Sequence, residues 1–259
     1  MAERKAIFIT GGASGIGRAT ARLFAARGWL VGLADVNEAG LAETAALLPA
    51  GAAEQYVMDV RDRDAWERSL AAFTIVSGGR LDVLHNNAGI GTGGPFASAS
   101  FAEIDRTVEI NFVGVLNGAR IGYAYLAKTP GSCLLNTASA SAIYGSSGLA
   151  TYSATKFAVR ALTEALDGEW FGAGIKVRSL IPSFIETPLL DTVPEGSNRT
   201  IRDRVTGAGL ELTDVEEVAK AAWRAVHGRA VHTYVGKTAH RLRFAARWFP
   251  YALRRRSRR

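Results

Sequence analysis

Short apolar runs alternate with longer amphipathic segments along most of the chain. The runs predict β-strands at residues 6–10, 29–35, 55–58, 81–86, 132–138, 176–182 and 231–235. The longer segments predict helices at residues 16–27, 38–48, 61–76, 101–128, 149–171 and 214–227. Most of the strands are continuously apolar, which is typical of strands that are covered on both faces. The pattern therefore predicts a doubly wound α/β fold, in which one parallel sheet carries helices on both faces.

One stretch interrupts this alternation. Residues 183–209 lie between a predicted strand and a predicted helix, and they include Pro188, Pro194 and three glycines. A connection of this length within a compact domain usually has a function, often as a lid over a site. We therefore expect a single domain over residues 1–236, with a substrate lid at 183–209, followed by a tail at 237–259.

The formal net charge of +7 has its origin in the tail. Nine of the 31 Lys and Arg residues lie in 237–259, which holds no Asp or Glu, so residues 1–236 have 22 basic and 24 acidic side chains. This distribution argues against nucleic acid as a partner, because a basic face on the body is missing. The single cysteine, the lack of a secretory signal and the lack of a long apolar run predict a cytoplasmic protein.

A glycine-rich turn joins the first predicted strand to the first predicted helix. It reads Thr10-Gly11-Gly12-Ala13-Ser14-Gly15-Ile16-Gly17. Glycines let the backbone approach a pyrophosphate, and the helix N-terminus offers free N–H groups and positive dipole charge. The alternative is an ordinary βα turn, but the position between strand and helix is the context that a dinucleotide motif requires. The predicted cofactor-binding residues here are Gly11, Ser14, Gly15, Ile16 and Gly17.

Asp35 ends the second predicted strand, 24 residues after Gly11. A carboxylate at this place can accept hydrogen bonds from both hydroxyls of an adenine ribose, and it would repel the 2′-phosphate of NADP. Val36 and Asn37 follow it, and the nearest cation, Arg18, can as easily face solvent. The sequence therefore favours NAD (NADH) over NADP. The alternative is that Asp35 only begins a turn.

Six motifs, in this order, resemble those of the classical short-chain dehydrogenases/reductases. They are the turn at 10–17; Asp59-Val60; Asn87-Ala88-Gly89; Asn111 within Glu109-Ile110-Asn111-Phe112; Ser139 followed by Tyr152-Ser153-Ala154-Thr155-Lys156; and residues 182–187. The resemblance covers about residues 5–236. It implies a Rossmann fold, a small-molecule alcohol or ketone substrate, and a homodimer or homotetramer.

The resemblance also implies roles for single residues. The implied catalytic residues are Asn111, Ser139, Tyr152 and Lys156. The implied cofactor contacts are Asp59 and Val60 at the adenine, Asn87, Ala88 and Gly89 after the fourth strand, Tyr152 and Lys156, and Pro182, Ile185 and Thr187 beside the nicotinamide. One position departs from the family, because Ser183 stands where a glycine is usual. A serine has less backbone freedom, which puts the path of this loop in question.

Tyr152 and Lys156 are four residues apart on a predicted helix, so they share one face. A phenol has a pKa of about 10, which is too high for a base near neutral pH. A neighbouring cation and the positive nicotinamide ring favour the phenolate and lower that pKa. Tyr152 is therefore predicted to be the general acid/base of an alcohol–ketone interconversion. By resemblance, Lys156 also holds the nicotinamide ribose, Ser139 binds the substrate oxygen, and Asn111 bends its helix and holds a water.

The predicted substrate walls are mostly apolar: Phe96, Ile143, Tyr144, Leu149, Phe184, Leu189 and Leu190. We see no Arg or Lys placed to bind a carboxylate or phosphate, so we expect a medium-sized, largely apolar secondary alcohol or ketone. The alternative is that these residues only pack the lid. Two other functions stay open: an NADPH-dependent carbonyl or ketoacyl reductase, and a non-catalytic nucleotide-binding scaffold. No metal site is expected.

The tail combines cations with apolar residues at helical spacing, namely Leu242, Ala245, Ala246 and Phe249 before Pro250. A basic amphipathic helix with Trp and Phe can lie on an anionic membrane surface. It can equally pack on a neighbouring subunit, and the final arginines can form a solvated end. The sequence leaves peripheral membrane contact and these other roles open.

Overall fold

The computed structural model describes residues 4–193 and 197–257. Part of the predicted lid, residues 194–196 with Pro194, and the last two residues of the tail lie outside the described residues.

Seven parallel strands form one sheet. They are β1 (Ala6–Thr10), β2 (Leu30–Asp35), β3 (Ala53–Val57), β4 (Val83–Asn86), β5 (Cys133–Thr137), β6 (Lys176–Pro182) and β7 (His232–Val235). Their order across the sheet is β3-β2-β1-β4-β5-β6-β7. The order reverses between β1 and β4, which creates a crevice at the carboxyl ends of these strands. The prediction of a doubly wound α/β fold is confirmed, and each predicted strand end lies within two residues of the observed one.

Helices connect the strands, as the sequence predicted. They are α1 (Gly15–Ala26), α2 (Glu38–Ala46), α3 (Arg63–Val76), α4 (Phe101–Val108), α5 (Gly114–Leu126), α6 (Ala150–Glu169), α7 (Ile201–Gly207), α8 (Val215–His227), α9 (Lys237–Trp248) and α10 (Pro250–Ser257). The single helix predicted at 101–128 is in fact two, since a π-helical turn, Glu109–Val113, separates α4 from α5. The lid contains α7, which the sequence analysis did not predict.

Two apolar layers lie on opposite faces of the sheet. Within β1, Ile7 and Ile9 point into one layer with Phe24 of α1, while Phe8 points into the other with Trp66 of α3. Successive side chains of a strand point to opposite faces, so every position of β1 is buried. This two-sided burial explains why the strands have continuously apolar sequences.

Within the part of the chain that the structure describes, no helix is long and apolar enough to cross a membrane. The same residues contain no cluster of three or more His, Cys, Asp or Glu side chains that could hold a metal ion.

Candidate active site

A cavity of about 630 Å³ lies along the carboxyl ends of β1, β2, β4, β5 and β6 and under the lid. Its position is the crevice where the strand order reverses, the usual ligand site of such sheets. Its volume falls within the range of small-molecule and cofactor sites. Of the predicted catalytic and cofactor residues, those that line the cavity are Gly11, Ser14, Gly15, Ile16, Asp35, Asp59, Val60, Asn87, Ala88, Gly89, Ser139, Tyr152, Lys156, Pro182, Ile185 and Thr187.

The glycine-rich turn brings backbone close to this cavity. Gly11 and Gly15 have φ angles of +67° and +50°, a region that favours glycine. Gly17 does not line the cavity; a Cβ there would lie 2.0 Å from the Gly11 carbonyl oxygen, so glycine permits the close packing of helix and turn. Ser14 is the N-cap of α1 and its side chain makes no capping hydrogen bond to the helix. The first N–H groups of α1 therefore remain for an anion in the cavity.

Asp35 is oriented by two backbone N–H groups. Its Oδ2 accepts a hydrogen bond from Ala13 N at 3.2 Å, and its Oδ1 accepts one from Asn37 N at 3.0 Å. Arg18 belongs to α1, and its side chain pairs with Glu43 of α2 at 2.8 Å. The cavity thus has a fixed carboxylate at the end of β2, and this arginine is not part of its lining.

A buried polar network joins the ends of β1, β4 and β5. The Thr10 hydroxyl accepts hydrogen bonds from Asn87 N at 3.0 Å and Ala88 N at 3.1 Å. The Thr137 hydroxyl donates to Asn87 Oδ1 at 3.2 Å, so His85 must donate to it from Nε2, at 2.9 Å. Burial lowers the pKa of His85 to about 3, which keeps it neutral. Sequence reasoning missed His85, since a histidine within an apolar strand gave no signal of its contact with Thr137.

Tyr152 and Lys156 enter the cavity from α6. Lys156 Nζ donates a hydrogen bond to the Thr137 carbonyl at 3.0 Å and lies 5.7 Å from the centre of the Tyr152 ring. Burial lowers the pKa of Lys156 to about 8. Burial also raises the pKa of Tyr152, and a hydrogen bond with the Ser139 hydroxyl opposes that rise only in part. The sequence argument expected a lowered phenol pKa, so in the protein alone the shift has the opposite direction.

Ser139 caps the 3₁₀ turn Ala140–Ala142, which follows β5. Its Oγ accepts a hydrogen bond from Ser141 N at 3.2 Å. This contact orients the hydroxyl at the cavity wall, beside Tyr152.

Asn111 lies behind the cavity and not in its lining. It sits in the π-helical turn, where Oδ1 accepts a hydrogen bond from Ile90 N at 2.8 Å and Nδ2 donates one to Ile90 O at 2.9 Å. The bend that the resemblance implied is therefore a π-helical turn, a feature common at functional sites. Gly89 lies next to it; a Cβ there would be 3.1 Å from Asn111 Oδ1 and 3.5 Å from Lys156 Nζ.

The predicted substrate residues divide into two groups. Leu149, Phe184 and Leu189 line the cavity. Phe96, Ile143 and Tyr144 lie outside this lining, where the sequence had placed them within it. Phe96 is 60% exposed and lines a much smaller pocket that also includes Leu149 and Tyr152, and Ile143 ends the 3₁₀ turn and packs against the core. Leu190 lines the larger cavity too, and sequence reasoning missed the apolar lining residues Met58 and Ile201.

Two arginines also line the cavity, whereas the sequence analysis placed none there. Arg61 pairs with Asp59 at 2.6 Å and with Glu109 at 3.2 Å, so acidic neighbours offset its charge. The contacts of Asp59 with Arg61 lower the pKa of Asp59, the side-chain hydrogen bond being the largest cause. Arg106 is exposed on α4 at the cavity wall.

The described parts of the lid are held by backbone hydrogen bonds to neighbouring segments. Ser183 N donates to Val235 O at 3.0 Å, and Thr213 N donates to Phe184 O at 2.8 Å. No described residue other than glycine has a positive φ, so Ser183 follows β6 without the strain that its departure from glycine suggested. Within the lid, Arg202 of α7 pairs with Glu186 and, at 2.7 Å, with Asp191.

Comparison with known proteins identifies a matching family and similar proteins. The model of the short chain dehydrogenase family matches residues 5–198. The 3-oxoacyl-[acyl-carrier-protein] reductase FabG of Thermotoga maritima is 34% identical over 206 residues, which cover 78% of this chain and 83% of that protein. The meso-2,3-butanediol dehydrogenase of Serratia marcescens is 34% identical over 217 residues, covering 83% of this chain and 86% of that protein.

Solved structures give the same picture. A short chain dehydrogenase/reductase from Burkholderia phymatum in complex with NAD aligns with a TM-score of 0.85 and 26% identity, covering 99% of this chain and 97% of that one. A 3-ketoacyl-(acyl-carrier-protein) reductase from Brucella melitensis complexed with NADH aligns with a TM-score of 0.82 and 29% identity, covering 92% and 100%. Since the family match spans most of the chain, the protein belongs to the short-chain dehydrogenase family of oxidoreductases, which act on alcohol and ketone substrates.

Proposed function

We propose that the protein is an NAD(H)-dependent oxidoreductase that interconverts a secondary alcohol and a ketone, with Tyr152 as general acid/base. The observation that carries the proposal is one continuous cavity. It has the Asp35 carboxylate at one wall and the Ser139, Tyr152 and Lys156 side chains at another.

The cavity residues fit a dinucleotide. The uncapped N-terminus of α1 suits a pyrophosphate, and Asp35 suits the ribose hydroxyls. The negative charge of Asp35 favours NAD over NADP, and Arg18 pairs with Glu43 and does not line the cavity. The NAD and NADH complexes of the two structural relatives support this choice.

The chain's own residues supply the proton transfer. The bound nicotinamide would accept or donate the hydride. The Tyr152 hydroxyl would take the proton of the substrate hydroxyl during oxidation and return it during reduction. The Ser139 hydroxyl would donate a hydrogen bond to the substrate oxygen. Lys156, with a pKa of about 8, is mostly cationic at neutral pH, and its charge favours the phenolate of Tyr152.

The substrate end of the cavity favours an apolar molecule of medium size. Its apolar lining comes from Leu149 beside Tyr152 and from the lid residues Phe184, Leu189, Leu190 and Ile201. The similarity to a butanediol dehydrogenase supports a secondary alcohol or diol. We also expect a homodimer or homotetramer, which light scattering would test.

A second candidate is an NADPH-dependent ketoacyl reductase. The 34% identity to the Thermotoga maritima reductase favours it, whereas the Asp35 carboxylate argues against NADPH.

The test is the absorbance of reduced nicotinamide during turnover of a panel of secondary alcohols, diols, hydrophobic ketones and a β-ketoacyl thioester, with NAD(H) and NADP(H). NAD-linked turnover of an alcohol or ketone is the expected result. NADPH-linked turnover confined to the thioester would establish the second candidate. Binding of NADH with no turnover across the panel would leave two alternatives, a substrate outside the panel or a nucleotide-binding scaffold.

A further inference from the structure

The tail forms two helices beyond the cavity. Helix α9 begins at Lys237, two residues after β7 ends, and α10 begins at Pro250. One side of α9 packs on the body of the protein, where Ala239 is fully buried and Leu242 and Ala246 are partly buried. The cavity lining includes no residue from the described part of the tail. The chemistry of the site therefore gives these helices no role.

The rest of the tail exposes aromatic side chains. Phe244 is 60%, Trp248 61%, Phe249 55% and Tyr251 83% exposed, so four large aromatic residues face solvent within eight positions. Phe244 and Trp248 are four residues apart and share one face of α9. A contiguous exposed apolar patch with a polar rim marks a surface for interaction.

Cations surround these aromatic residues. Arg241 and Arg247 are exposed on α9, three residues before Phe244 and one before Trp248. Arg247 lies over the Trp248 ring at 5.4 Å. Among the described residues, Lys237 is the one cation of the tail with an ion pair, at 3.8 Å from Glu211. The sequence of the tail contains no carboxylate side chain, so its arginines lack an anionic partner on the same segment.

We propose that α9 and α10 are a docking surface for an anionic lipid bilayer. The exposed aromatic rings would enter the boundary between headgroups and acyl chains, where Trp and Tyr are favourable because they are amphipathic. The arginines would contact the lipid phosphates, and each one near an anionic surface increases binding about fivefold. A second copy of this chain is a poorer occupant, because symmetric pairing would bring two cationic tails together.

Co-sedimentation of the full-length protein with vesicles tests the proposal. The probes are phosphatidylcholine alone and phosphatidylcholine with about one-third phosphatidylglycerol. The wild-type protein is expected to bind the anionic vesicles, to bind the neutral ones far less, and to dissociate as salt is raised. Arg241→Gln with Arg247→Gln should weaken anionic binding about 25-fold. Phe244→Ala with Trp248→Ala should also weaken it, and should leave the residual binding more sensitive to salt.

The matched control removes two exposed arginines from the body. Arg224 lies in the last turn of α8 and Arg229 follows the helix, and neither pairs with a carboxylate among the described residues. Arg224→Gln with Arg229→Gln changes the net charge equally and should leave vesicle binding within about twofold. Thermal melting of every variant checks folding, and vesicle binding needs no turnover, so the result is independent of the proposed catalytic function.

Three results would overturn the proposal. The first is wild-type protein that stays in solution with anionic vesicles. The second is an equal loss of binding in the tail and body variants, which would indicate a net-charge effect only. The third is an aromatic variant that dissociates into monomers while vesicle binding is unchanged, which would make the face a contact between subunits.

Discussion

Replacing Asp35 by Asn tests whether this carboxylate selects NAD. The side chain keeps its size, so the change removes the charge and retains an oxygen for one of the two backbone donors, Ala13 N or Asn37 N. NADP differs from NAD by a 2′-phosphate on the ribose that Asp35 is proposed to hold. The variant should therefore bind NADPH more tightly and NADH more weakly.

The size of both effects follows from simple electrostatics. Two unit charges about 5 Å apart repel by about 3 kcal/mol at an effective dielectric constant of roughly 20. Asp35 is partly exposed, so screening reduces this to about 1.5 kcal/mol, or roughly tenfold in the Kd of NADPH. A neutral acceptor in place of a charged one weakens the ribose hydrogen bonds by about 1 kcal/mol, or about fivefold in the Kd of NADH. The Kd of NADPH divided by the Kd of NADH should therefore fall roughly 50-fold.

The assay is direct titration of NADH and NADPH into wild-type and variant protein, which requires no substrate. Glu38→Gln is the matched control, because Glu38 is an exposed carboxylate on the first turn of α2 that does not line the cavity. Its ratio of Kd values should match that of the wild type. Equal affinity of the wild-type protein for both nucleotides, or an unchanged ratio in Asp35→Asn, would refute the assignment of Asp35.

Three further predictions follow from the site and its surroundings. Tyr152→Phe should retain NADH binding and lose turnover by about 10³-fold. The control Tyr144→Phe, outside the cavity lining, should retain both NADH binding and turnover. Normal turnover in Tyr152→Phe would contradict the acid/base role. Burial lowers the pKa of Lys156 to about 8, so the unfolded chain binds the extra proton between about pH 8 and 10.4. The free energy of unfolding should therefore gain about 3 kcal/mol over that window relative to Lys156→Met, measured by urea denaturation at each pH. Gly236 has a φ of +87° and a Cβ there would lie 2.2 Å from a side-chain oxygen, so Gly236→Ala should destabilise the fold by about 2 kcal/mol or more. Thermal melting measures this change, and the control is Gly168→Ala, which lies in open space on α6 and should not lower stability.

The sheet and the cofactor end of the site could be predicted because their signals are local. Buried strands such as β1 are continuously apolar, and their ends are marked by the residues that follow, such as the glycines after Thr10. Since parallel strands bring their carboxyl ends to one edge, the residues after each strand had to meet there. Asp35 and Asn87 do so in the structure.

Features that depend on packing between distant segments were not predictable in the same way. The π-helical turn at Glu109–Val113 does not interrupt the apolar pattern of 101–128, so one helix was expected where there are two. Ile143 follows Ser139 closely, but the 3₁₀ turn Ala140–Ala142 directs it into the core rather than the cavity.

Helix α7 had a local signal that was overlooked. Thr200 and Asp203 form a capping box, in which the Thr200 hydroxyl accepts a hydrogen bond from Asp203 N at 3.0 Å. A Thr followed three residues later by an acidic residue is a recognised sign of a helix start. Applied to 183–209, it would have placed a helix inside the lid.

The pair of Tyr152 and Lys156 shows that residue spacing can predict a shared helix face but cannot predict how burial changes a pKa. A spacing of four residues correctly put both groups on one helix, but it could not tell how much solvent each one loses. In the protein alone, burial raises the pKa of Tyr152 and lowers the pKa of Lys156, because a low dielectric disfavours the charged form of both groups. The phenol therefore stays protonated near neutral pH, and its pKa can fall only where added positive charge outweighs the loss of solvent. The oxidised nicotinamide carries such a charge, so the basicity of Tyr152 should be coupled to cofactor binding rather than built into the helix.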